Sequence, residues 1–85
     1  MASTTGIVQK LTLDSASGLC CTWIGPSPTN TTVLFVIRKG ADSAQVGQLK
    51  TAMIEGIVSA HVTRREVTAT HASGDSEITS VGIGP

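Results

Sequence analysis

Asp42-Ser43-Ala44-Gln45-Val46-Gly47-Gln48-Leu49-Lys50-Thr51-Ala52-Met53-Ile54-Glu55-Gly56-Ile57-Val58-Ser59-Ala60 carries the clearest helical period of the chain. Val46, Leu49, Met53 and Ile57 recur three and four residues apart, Ala60 extends the stripe, and Asp42 or Ser43 stands where a side-chain oxygen accepts from free helix N–H groups. A helix over residues 43–60 follows. Ile54 and Val58 make a second apolar patch on another side, more than a helix lying on one core needs. Gly47 and Gly56 each cost about 1 kcal/mol against Ala in a helix interior, which points either to close backbone approach or to weak propensity overridden by packing.

The flanks of this helix read as strands. Upstream, Ile7, Gln9, Leu11 and Leu13 alternate with Val8, Lys10 and Thr12, a half-buried strand. A polar loop ending at Gly18 leads to a second strand over residues 19–24, paired antiparallel with the first. Pro26 and Pro28 fix φ and remove ladder donors, so residues 25–30 read as an exposed loop. The third strand, residues 31–38, has no polar face from Val33 to Ile37, as expected of a central strand or one lying under an interface. Downstream, Val67, Ala69 and His71 alternate with Glu66, Thr68 and Thr70, Ser73-Gly74-Asp75-Ser76 turns the chain, and residues 77–83 supply a fifth strand. The expected fold is mainly β with one helix, in the order β-β-β-α-β-β, the order of a five-stranded OB-fold barrel. An open α+β sandwich is the alternative.

Composition narrows the function. The 85 residues make one domain, 40% hydrophobic and 14% charged, with six basic and six acidic side chains giving no net charge. Disorder goes with the opposite balance. The absence of net positive charge disfavours a general nucleic-acid binder, and Trp23 and Phe35, the two aromatic residues, are few for stacking on bases or sugars. No apolar run is long enough to cross a bilayer, so membrane insertion is not expected. The start of the chain lacks the basic and apolar segments of a secretory signal, consistent with a cytoplasmic or a mature secreted protein. Cys20 and Cys21 are adjacent on a strand, where alternation sends them to opposite faces; two free thiols are expected. Neither Cys-x-x-Cys nor a paired His motif is present, so no metal or other cofactor is expected.

The second half carries a resemblance. Asp42-Ser43, the helix, Ala60-His61-Val62-Thr63, Val67 at the head of a strand, the Gly74-Asp75 turn and the closing Ile78-Thr79-Ser80-Val81-Gly82-Ile83 resemble the B subunits of bacterial toxins of the cholera and pertussis kind. The first half fits by strand order and hairpin lengths. The resemblance implies an OB-fold assembled as a ring of five, with the helix lining a channel, edge strands pairing between neighbours, and glycans as ligands. Two features depart from cholera-type subunits: no Cys stands in the fourth strand to form their disulfide, and the last hairpin has no Trp to build their sugar pocket.

Among polar residues, His61, Arg64 and Arg65 cluster where the helix ends. They offset the helix dipole or bind an anion through Arg. Arg38 and Lys39 form a second basic pair at a solvated strand end. His71 and Asp75 lie in the last hairpin region, and Trp23 is either core or a stacking platform for a ligand. His71 has no identifiable nucleophile partner, so catalysis is not expected. Asn30-Thr31-Thr32 matches the glycosylation acceptor pattern, which is common by chance. The expectation is a non-enzymatic binding or scaffolding module that assembles with itself, with Val33, Phe35, Ile54 and Val58 at the contact and a glycan or other small ligand near Trp23, His61, Arg64, Arg65, His71 and Asp75. A single-stranded nucleic-acid binder of OB type, using Trp23, Phe35 and Arg38, is the competing expectation.

Overall fold

The computed structural model describes residues 2–84. Along the chain run β1 (Ala2–Asp14), β2 (Leu19–Ser27), β3 (Asn30–Ile37), α1 (Ala44–Thr63), β4 (Glu66–His71) and β5 (Ile78–Ile83). The strands form one antiparallel sheet in the spatial order β3-β2-β1-β4-β5. The chain order does not express this arrangement: α1 carries the chain past β3, and β4 returns beside β1.

β1 organises the sheet. Its first half, Ala2 to Ile7, pairs with β4, and its second half, Ile7 to Asp14, pairs with β2, with a register shift between Val8 and Lys10. That irregularity at Gln9 bends the strand and lets it serve both halves of the sheet. Just before it, β1, β2 and β3 approach closely. A Cβ on Gly6 would lie 2.9 Å from the Gly25 Cα, and one on Gly25 would overlap the Asn30 carbonyl oxygen. Only glycine permits this crossing.

Several sequence expectations are corrected. The Ser/Thr-rich start is strand, because its partner β4 supplies a ladder that apolar alternation in β1 does not announce. Gly25, Pro26 and Ser27 belong to β2 instead of a loop; the register shift between Ile24 and Ser27 absorbs Pro26, leaving it exposed. β3 is an edge strand, not a central one. The expected closed barrel is not found. The sheet stays open between β3 and β5, where the Phe35 N–H donates to the Ser76 carbonyl at 3.0 Å beside one isolated parallel bridge, Phe35 to Glu77.

The core gathers Val8, Cys20, Ile24, Leu34, Val36, Ile57, Ala60, Val67, Ala69 and Ile78, each 2% exposed or less. Thr22 is buried among them, and its hydroxyl donates to the Leu34 carbonyl at 3.0 Å. From α1 only Gly47, Ile57 and Ala60 are buried. The anticipated stripe is core only in its later part: Ile57 and Ala60 are buried and Met53 packs against the core, joined by Ile54 from the second patch, while Val46 and Leu49 are 40% and 58% exposed. The whole chain exposes 4981 Å², close to the ~4,700 Å² of a monomeric globule of this mass. One copy is thus folded compactly by itself.

Candidate functional site

The cluster at the end of α1 is tied into the framework. Arg64 terminates the helix in the left-handed region, φ 57, its backbone N–H returning to Ala60 and His61 carbonyls. The His61 Nδ1–H donates to the Val8 carbonyl at 2.6 Å, beside the β1 irregularity. Arg64 donates to Gln9 Oε1 at 3.2 Å, and Gln9 Nε2 donates in turn to the Gly25 carbonyl at 2.9 Å. These contacts fasten the helix to β1 and β2. Arg65 is exposed.

His71 and Asp75 meet in the last hairpin, but through the backbone: His71 Nδ1–H donates to the Asp75 carbonyl at 2.7 Å, and Nε2 lies 3.4 Å from the Thr4 hydroxyl. The Asp75 carboxylate accepts from the Glu77 N–H at 3.1 Å, holding the turn. Among the described residues, no three His, Cys, Asp or Glu side chains come together as metal ligands.

Trp23 and Phe35 share the outer face of the sheet. The register sets Trp23 opposite Val33 and Cys21 opposite Phe35, and Leu19 opposite Ile37, so alternation lines these six side chains on one surface. All but Val33, 44% exposed, are half-buried. The Lys10 ammonium sits 4.8 Å from the Trp23 ring centre, a cation–π contact. Cys20 points the other way into the core, where burial raises its thiol pKa, assisted by the neighbouring Cys21; both thiols are free.

Two concavities stand out among the described residues. A polar cleft of about 890 Å³ lies between the β1–β2 hairpin and the start of α1, lined by Ser15, Ser17, Arg38, Asp42, Gln48 and Thr51. Asp42 is held from outside the lining by Lys50, which donates to both the Ile37 carbonyl and the Asp42 carboxylate at 2.9 Å. The Lys39 N–H, with Lys50, holds the Asp42 carboxyl below its ordinary pKa. An apolar groove of about 430 Å³ runs between α1 and β5, lined by Leu49, Met53, Gly56, Thr79, Val81 and Ile83. A Cβ on Gly56 would meet the Ile83 side chain at 3.0 Å, so that glycine marks close approach of helix and strand. Sequence reading missed this groove because it assigned Leu49 and Met53 to the core; their uncharged neighbours in β5 were the available signal.

Of the four residues expected at a contact between copies, Val33 and Phe35 lie on the outer sheet face and Ile54 and Val58 on α1, partly buried. The two pairs do not form one patch through any strand register. Comparison with known proteins gives no matching family model, no matching curated protein and no matching solved structure.

Proposed function

We propose that the protein is a non-enzymatic binding or scaffolding module that assembles with copies of itself. The observation that carries the reading is the groove between α1 and β5: it contains no charged residue, it exposes Leu49 and Ile83, and it adjoins the last strand in the sheet order. Apolar surface of this kind marks an interaction site. An OB-like layout, left open between β3 and β5, is what we infer. Its support is the parallel bridge between Phe35 and Glu77, which links β3 to the approach to β5 across the gap, and the division of β1 between two partners. The resemblance to toxin B subunits puts the assembly at five copies and its ligand among glycans. Light scattering at micromolar concentration tests self-assembly. A mass above 8.7 kDa that falls on dilution supports it, and a monomer at every concentration refutes it.

The second reading, a single-stranded nucleic-acid binder, is favoured by one observation: Trp23 and Phe35 share a surface with Lys10 beside the indole. Such a platform stacks bases without sequence preference. Oligonucleotide binding that survives moderate salt and is lost in Trp23→Ala supports this reading; no binding at low salt removes it.

A further inference from the structure

We infer that the tip of the β4–β5 hairpin, residues 71–78, is a latch across the opening between β3 and β5, and that Glu77 is its electrostatic catch. The tip is built to move as one piece. Within it the Asp75 N–H donates to the Ala72 carbonyl at 3.0 Å, the Glu77 N–H to the Asp75 carboxylate at 3.1 Å and the His71 ring to the Asp75 carbonyl at 2.7 Å. At its base the β4–β5 ladder changes register between Thr70 and His71, and such an irregularity interrupts the pairing and supplies a hinge. Across the opening, among the described residues, the backbone is fastened by the Phe35 N–H to the Ser76 carbonyl and by the isolated bridge from Phe35 to Glu77. A ladder repeats such bonds along both strands, so this seam opens more easily than the β1–β2, β2–β3, β1–β4 or β4–β5 pairing.

Side chains complete the fastening, and their distances rank them. Lys50 donates at 2.9 Å to the Ile37 carbonyl and to Asp42, neither of which belongs to the tip. It lies 3.9 Å from one Glu77 oxygen, and Lys39 lies 3.6 Å from the other. At those distances the attraction is Coulombic, without a hydrogen bond to direct it. Lys50 and Asp42 are partly buried, whereas Lys39 is exposed. Removing the Glu77 charge therefore leaves the anchor of α1 whole and frees the tip alone. The other charged groups nearby are spoken for: Asp75 and His71 bond inside the tip, and the Arg38 guanidinium turns toward Gly47 on the helix. Ile78, buried in the core beside the catch, makes the closed state the resting one. Opening uncovers Ile78 and the Phe35 edge of β3.

Amide hydrogen exchange of the full-length chain in dilute solution, read residue by residue, tests the latch at the Phe35 N–H. Glu77→Gln keeps the size of the side chain and removes its charge. It should lower Phe35 protection about three- to ten-fold, the range for two partly exposed ion pairs, while the amides of the β1–β2 ladder keep theirs. Lys39→Gln should give a smaller loss, since Lys50 still faces Glu77. Added salt should also lower Phe35 protection in the unaltered chain, because exposed charges are screened, and should have little effect in Glu77→Gln. Unchanged Phe35 protection in Glu77→Gln overturns the catch, as does an equal salt response in the two chains. If Phe35 loses protection only in step with the β1–β2 ladder, the seam opens only with the whole fold and there is no latch.

Discussion

The two halves of α1 have similar apolar content and opposite fates. In the C-terminal half Ile57 and Ala60 are sealed in the core, and His61 is bonded to the Val8 carbonyl. In the N-terminal half Val46 and Leu49 face solvent, and the anchor is polar: Lys50 bridges the end of β3 and Asp42. The difference lies in what runs beneath the helix. β1, paired on both sides, passes under the C-terminal half, whereas the N-terminal half overlies the opening between β3 and β5. A helix stripe is core only where the sheet continues below it.

The sharpest way to break this contrast is to truncate a side chain in the sealed half. Ile57→Ala should cost about 2–5 kcal/mol, the range for large-to-small substitutions in a close-packed core, read as a lower urea midpoint at unchanged slope. A loss under about 1 kcal/mol would mean that the C-terminal half is not held as described. At the other end, Ser43 caps the helix by accepting from the Val46 N–H at 3.2 Å. Ser43→Ala should cost about 1 kcal/mol. An unchanged midpoint would show that the first turn contributes nothing to stability.

The helix itself was legible because Ser43 and the recurring apolar residues are local signals, and its cap falls where the sequence places it. Strand existence was equally legible for all five strands, since alternation in β1 and β4 and the apolar run of β3 need no knowledge of partners. Which helix face is buried was not. With Val46, Leu49, Met53, Ile54, Ile57 and Val58 spread around the helix, several faces are greasy enough to pack, and only the path of β1 selects among them. The same limit applies to the site residues. His61 and Arg64 read as a free polar cluster because Val8 and Gln9, their partners, are more than fifty positions away. The strand status of Gly25 and Pro26 depended on a close crossing with Gly6 and Asn30 that no local pattern encodes.

The polar anchor of the N-terminal half should respond to acid. Hydrogen bonds from the Lys39 N–H and Lys50 depress the Asp42 pKa in the folded chain, so folding favours the ionised carboxylate. Its contribution is complete above the ordinary carboxylate range and is lost as pH falls through the lowered folded value. The urea midpoint should therefore fall on acidification, and in Asp42→Asn that part of the decline should be missing. Equal slopes for the two chains would remove Asp42 from the anchor.

The smallest effect on the folded monomer is expected at Leu49, and there the contrast becomes functional. A side chain 58% exposed has little to lose, so Leu49→Gln should move the midpoint by no more than about 0.5 kcal/mol in dilute solution. Association adds stability by mass action, because a partner that binds only the folded chain displaces the equilibrium toward it. The thermal midpoint of the unaltered protein should then rise with its concentration, and that of Leu49→Gln should stay nearly level. Parallel rises in the two chains would mean that the exposed half of the helix takes no part in assembly. A large loss already in dilute solution would mean that Leu49 belongs to the core after all, and that the two halves of α1 differ less than their burial indicates.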